Sequence, residues 1–194
     1  MSPSAINVFH KAMFLLALAT GLRVSQLAAL LRNPSYSVFA DDGSSVSLAP
    51  FPSFLAKNER QGHRLDPLTV PAWIVKGKPH CLCPVAALKE YIRMVPAEPR
   101  QRLWLWPDSR KICTPVHLAK VFCRVVKKAE PSSDPKAHQL RGYAANLAYL
   151  RTFNLTKVQT LGQWASCHSL VTRYLARHLH DIPCVAMLIA PTGD

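Results

Sequence analysis

Residues 9–31 read FHKAMFLLALATGLRVSQLAALL, and the fold turns on how this stretch is parsed. Phe9 to Ala19 is apolar almost all round, the pattern of a helix buried within a domain rather than one lying on its surface. Thr20-Gly21 interrupts it, and glycine suits the left-handed position just past a helix end. A second helix is predicted from about Arg23 to Leu31, with Val24, Leu27, Ala28 and Leu31 on one face. The break leaves Arg23 between two apolar helices, where a guanidinium needs an acceptor. Two readings of Arg23 stand. Either it caps carbonyls at the end of the first helix, or it aims into a cleft toward a phosphate.

Outward from this core, Ser35–Ala40 and Ser45–Leu48 alternate polar and apolar around Asp41-Asp42-Gly43, the signature of a hairpin. The stretch from Pro50 to Pro71 is rich in proline and charge, with one strand-like piece at Leu68–Val70. Pro84 opens a helix to about Val95, carrying Val85, Leu88, Ile92 and Val95 at helical spacing. Arg102–Trp106 reads as a short strand. Thr114-Pro115 is a cap followed by proline at the first helical position, and Leu118, Val121, Phe122 and Val125 form the buried stripe behind it. The other side of that helix carries Lys120, Arg124, Lys127 and Lys128, either a solvated face or a contact for DNA. Further helices are predicted from Asp134-Pro135 through His138 to about Leu150, at Thr156–Leu161 and at His168–His178. The expected fold class is mainly α with a small antiparallel β-sheet, an α+β domain with its β element near the front.

The chain has 194 residues, 49% of them hydrophobic, which suits one domain with a real core. Its 24 Lys and Arg outnumber 11 Asp and Glu, for a formal net charge of +13. The surplus is spread along the chain, ten basic to five acidic residues in 1–97 and fourteen to six in 98–194. A folded basic surface of this kind points to a polyanion. The longest strongly apolar stretch, Ala12–Ala19, is far short of the ~20 residues needed to span a bilayer, and no secretory leader is evident. An intracellular chain with no membrane partner is therefore expected, nuclear if the source is eukaryotic. The six cysteines, at 81, 83, 113, 123, 167 and 184, lack zinc-site spacing. They are read as reduced thiols, with neither a structural metal nor a cofactor.

Two further segments could carry chemistry. In His138-Gln139-Leu140-Arg141 the imidazole and guanidinium fall three residues apart, on one helix face near its first turn, where an anion is favoured. In isolation the H-x-x-R pattern says little, because any two polar residues three apart on a helix share a face. Gly162-Gln163-Trp164-Ala165-Ser166 is followed by Tyr174, ten residues beyond the tryptophan. Both aromatics fit a plain core, but an indole N–H is a fixed donor and a phenol a possible nucleophile.

Taken together and in this order, the three segments resemble the boxes of the tyrosine recombinase (phage integrase) family. Thr20–Leu27 is similar to the first arginine box, T-G-x-R-x-x-E-L, apart from Gln26. His138–Leu147 is similar to the second, and Trp164 with Tyr174 to the third. Pro-Ser-Phe-Leu-Ala-Lys at 52–57, Cys-Pro-Val-Ala-Ala-Leu at 83–88 and the tryptophan of the third box look closest to eukaryotic DIRS-like and Crypton elements. The resemblance covers about residues 10 to 180.

What the resemblance implies is DNA strand cleavage and rejoining on double-stranded DNA, without metal or other cofactor, by a protein that self-associates on its substrate. Arg23 and Arg141 would hold the non-bridging oxygens of the scissile phosphate, with His138 and the Trp164 indole completing the cradle. Tyr174 would form a 3′-phosphotyrosine, and a lysine would protonate the leaving oxygen. Lys57, between the second and third strands, is the candidate, with Lys76 and Lys78 as substitutes. Gln26 stands where the family has an acidic residue, and an amide orients Arg23 less strongly than a carboxylate. The expected organisation is a catalytic domain over 1–181 and a tail over 182–194 that docks on a neighbouring protomer or packs back. Only about twenty residues precede Arg23, so the family's helical core-binding domain is not expected here. The competing readings are a DNA-binding module that has lost catalysis, a topoisomerase or resolvase of the same chemistry, and a basic protein–protein adaptor.

Overall fold

The computed structural model describes residues 4–56, 59, 66–98, 101–162, 164 and 166–175. Helix α1 spans Ala5–Thr20 and is capped by Ser4. It is the central element, with Val8, Phe9, Ala12, Met13, Leu16 and Ala17 buried and with α3, α4 and α5 packed around it. It ends as the Thr20-Gly21 pair dictates. The Thr20 hydroxyl donates to the Leu16 carbonyl and accepts from the Leu22 amide, while Gly21, at φ 60°, closes the last turn onto Ala17. Helix α2 is shorter than its apolar periodicity predicts, Val24–Ala29 rather than Arg23 to Leu31. Leu30 and Leu31 instead pair in extended form with Pro50 and Arg102. Main-chain partners from two other segments win over helix extension.

Strands β1 (Ser37–Phe39) and β2 (Ser45–Leu48) form the expected hairpin, and β3 (Leu68–Pro71) pairs antiparallel with β2. The register sets Val46 opposite Val70 and Leu48 opposite Leu68, so one face of the sheet is buried on α1 and α3. In the first turn Gly43 takes φ 73°, and the Asp42 carboxylate accepts from the Ser44 amide, which holds it below the usual carboxylate range. A second hairpin, β4 (Ile74–Val75) with β5 (Lys78–Pro79), went unread in the sequence. Its two-residue turn, Lys76-Gly77, has positive φ at both positions, and its strands are too short for alternation to register.

Helix α3 (Pro84–Met94) and helix α4 (Pro115–Ala129) begin where proline at the first position places them. The segment expected as a strand at Arg102–Trp106 pairs through isolated bridges, Leu31 to Arg102 and Leu105 to Ile112, rather than through a continuous ladder. Tyr91 organises it from below, donating to the Leu105 carbonyl and accepting from the Leu105 amide, with burial pushing its phenol up to about 12. Arg32 is buried beside it, its guanidinium on the Val95 and Leu103 carbonyls.

Helix α5 spans Gln139–Thr152, not from Asp134 as Asp-Pro suggests. The Gln139 side chain accepts from the Lys136 amide and the Gln139 amide donates to the Lys136 carbonyl, a turn that delays the helix to Gln139. Helices α6 (Leu155–Leu161) and α7 (Cys167–Leu170) follow. The last predicted helix gives way after Leu170 to a π-helical turn, Val171–Leu175; its expected continuation to His178 lies outside the described residues, as does the tail. The core has two parts. The larger joins α1, the sheet, α3 and α4, and a smaller one gathers Ala145, Val158, Trp164, Leu170 and Leu175. No helix among the described residues is long and apolar enough to cross a membrane.

Candidate active site

Arg141 lies in the first turn of α5 and is 3% exposed. An unpaired buried guanidinium is costly, so its partners fix it in place. One terminal nitrogen donates to the Gly21 carbonyl at 2.5 Å, the other to the Gly162 carbonyl at 2.7 Å. The carbonyl of Gly21 is available because α1 ends there, and Gly162 ends α6. Arg141 therefore ties together the ends of two helices, through hydrogen bonds to carbonyls that lie 120 residues before it and 21 residues after it.

The face of the same guanidinium stacks on Trp164, 3.9 Å from the ring centroid. Trp164 in turn meets Tyr174 edge to face, with centroids 5.4 Å apart, and the Tyr174 ring centroid is 5.8 Å from the Arg141 guanidinium carbon. Burial draws the Arg141 pKa down to about 10, the positive charge of Arg23 adds to that, and the Tyr174 phenol opposes it. The guanidinium stays charged at neutral pH. Two buried donors here have no partner among the described residues, Arg141 Nε and Trp164 Nε1. Orphaned buried donors of this kind call for an acceptor, which an anion supplies.

Arg23 is half-buried at the start of α2, and its backbone N–H donates to the Gln26 side-chain oxygen at 3.0 Å. The amide at position 26 thus holds the main chain of Arg23, as a helix cap does. His138 precedes α5 in helical conformation, makes no side-chain cap bond and is exposed. Of the sequence-derived candidates, Arg23, Arg141, Trp164 and Tyr174 are brought together, and His138 stands one helical turn before Arg141 at the solvent side. Lys57 lies outside the described residues. Lys76 and Lys78 sit at the turn and on β5 of the second hairpin.

Gln159 escaped the sequence reading. Its side-chain amide donates to the Trp164 carbonyl, its own carbonyl accepts from the Trp164 amide, and the Cys167 thiol donates to its side-chain oxygen at 2.7 Å. It fixes the loop that carries Trp164. The only sequence sign is a polar residue in a short helix five positions ahead of the tryptophan. Tyr174 owes its placement to the π-helical turn, a local rewinding found often at functional sites.

No protein-family model matches the sequence, and no curated protein matches it either. Solved structures do match. The site-specific recombinase XerH bound to palindromic difH substrate, in a post-cleavage complex, superimposes with a TM-score of 0.64 at 15% identity, over 96% of this chain and 48% of that one. XerH in a pre-cleavage complex gives 0.62 at 16% identity, over 94% and 47%. XerA recombinase gives 0.56 at 17% identity, over 95% and 64%. The chain thus spans about half the length of the XerH chains it matches. Across nearly its whole length, this chain has the fold of the tyrosine recombinase catalytic domain.

Proposed function

We propose that the chain breaks and rejoins DNA strands through a phosphotyrosine, as the catalytic part of a site-specific recombinase. The observation that carries this reading is one juxtaposition. Arg141 and Tyr174 flank the Trp164 indole, and a buried N–H of both Arg141 and Trp164 lacks an acceptor among the described residues. A phosphodiester bound there would meet donors fixed before it arrives, the arrangement that favours charge developing on phosphoryl oxygens. Arg23 adds a second positive charge within reach of Arg141.

In this reading the Tyr174 oxygen bonds to phosphorus as the bond to the 5′ oxygen breaks. The phenol proton passes to water, and Lys57 protonates the leaving oxygen. A different 5′ hydroxyl then reverses the step and releases Tyr174. His138, at the solvent side, hydrogen-bonds a non-bridging oxygen of the bound phosphate. The distributed charge of +13 tracks the flanking backbone. Self-association on DNA and a mobile-element origin belong to the same proposal, as does a catalytic domain over 1–181 with a tail beyond it.

One observation favours a second reading, a DNA-binding module without catalysis. Both terminal nitrogens of Arg141 are already engaged by carbonyls, leaving Nε and one hydrogen on each terminal nitrogen for a phosphate. A single experiment separates the two. Incubation with a pool of nicked duplexes of randomised sequence, which trap a cleaved strand, should give a covalent protein–DNA adduct on denaturing gels. Tyr174→Phe should reduce it by at least ~100-fold, the scale expected when a nucleophile is removed. Retention of the duplex without adduct supports the second reading, and an adduct that survives Tyr174→Phe overturns the first.

A further inference from the structure

Arg124 and Lys128 of α4 turn toward α1 and, with Lys11, rim a groove of about 630 Å³ between the two helices. The floor is Phe14, Leu15, Leu18 and Val125, with the half-exposed Leu82 (49%) at its side. No carboxylate lines it among the described residues. His10 also lines it, and its Nε2 is buried without a partner among the described residues. Burial, then the charges of Arg124 and Lys128, lower the His10 pKa.

The volume is in the range of ligand-binding clefts, and a groove between two helices is the natural seat of a third. We propose that this groove docks an acidic amphipathic helix of a partner protein, with its apolar stripe on the floor and its carboxylates on Lys11, Arg124 and Lys128. The helix-in-groove mode requires that combination of apolar floor and charged rim. DNA fits it poorly, because a phosphate backbone is polar along its length and would leave Phe14, Leu18 and Val125 facing charge. Charges on the rim speed encounter and select against basic partners, and the floor supplies the affinity.

The test uses the full chain and a fluorescein-labelled peptide of about four helical turns, with leucines at i, i+3, i+4 and i+7 and glutamates between them. Anisotropy titration should show saturable binding that a scrambled peptide of the same composition does not reproduce. Arg124→Glu with Lys128→Glu should weaken it about 100-fold, and Leu82→Asp about tenfold, since Leu82 is exposed and its replacement leaves folding intact by circular dichroism. Absence of binding, equal binding of the scrambled peptide, or indifference to these substitutions overturns the proposal. So does displacement of the probe by a peptide of residues 182–194, which would give the groove to the chain's own tail. Displacement by duplex DNA with no effect of Leu82→Asp would give the cations to DNA and likewise overturn it.

Discussion

Gly162 has no room for a side chain. A Cβ there would lie 1.4 Å from Trp164 Cζ3 and 2.2 Å from two further indole atoms, so the ring folds directly over this residue. The constraint is steric, since the backbone φ of −92° suits any residue. Gly162→Ala must therefore push the indole off, and with it the stacking on Arg141 and the edge contact with Tyr174. Overpacking of this kind costs about 1–3 kcal/mol. The expected result is a folded protein with a lowered melting temperature and a loss of at least ~10-fold in adduct on the nicked duplexes, as for a misplaced catalytic group. An adduct yield equal to that of the parent would show that the indole position does not matter. Single residues were unequally legible in the sequence. Thr20-Gly21 announces a helix end, and the structure ends α1 there by the hydroxyl and left-handed geometry those residues supply. Arg141 is different. Nothing in H-x-x-R says that its acceptors are the carbonyls of Gly21 and Gly162, because carbonyl positions depend on tertiary packing and carry no side-chain signature.

Helix α4 was legible as an element because its start is written in side chains. Thr114 accepts from the His117 amide at 3.3 Å, and His117 Nδ1 accepts from the Thr114 amide at 3.3 Å, a reciprocal box with histidine in the place of glutamate. Pro115 occupies the first helical position and Leu118, Val121 and Phe122 are buried behind it. Replacing Thr114 by Ala leaves the His117 amide without its acceptor, while the backbone amide at 114 still donates to the His117 ring, which rests edge-on against Trp106. A loss of about 1 kcal/mol is expected, read as a lower urea midpoint with an unchanged slope. Two elements lacked such writing. Asp134-Pro135 carries the letters of a cap and a first position, yet the Gln139 side chain closes a turn on Lys136 and α5 starts four residues beyond Pro135. The π-helical turn at Val171–Leu175 was also invisible, since apolar spacing over five residues does not tell an i→i+4 ladder from an i→i+5 one. That turn carries Tyr174, so the sequence could name the phenol but not its orientation.

At the scale of the molecule, the two-part core gives Arg141 a structural duty beside its proposed chemical one. The larger part is closed by α1, the sheet, α3 and α4, with Phe9, Tyr91 and Trp104 at its centre. The smaller part holds Trp164, Leu170 and Leu175. Arg141 spans the seam, one bond reaching the end of α1 and the other the end of α6. Each hydrogen bond to a charged group contributes roughly 1.5–3 kcal/mol, and stacking on a desolvated indole about 2 kcal/mol more. Removing the guanidinium should therefore loosen the smaller part while the larger stays closed, the behaviour of a separately opening unit. In Arg141→Ala, hydrogen exchange of the amides in Leu155–Leu161 and Cys167–Leu175 is expected to accelerate at least ~10-fold, about 1.4 kcal/mol of local stability. Amides of α1 and α3 should keep their parental rates. Arg141→Lys separates the two duties, because an ammonium retains the charge but cannot donate in two directions along a plane or stack as guanidinium does. Accelerated exchange in both variants would mark Arg141 as the clamp of the smaller core. Uniform acceleration across α1 and α3 as well would show instead that the two parts open as one, and that the seam has no independent stability.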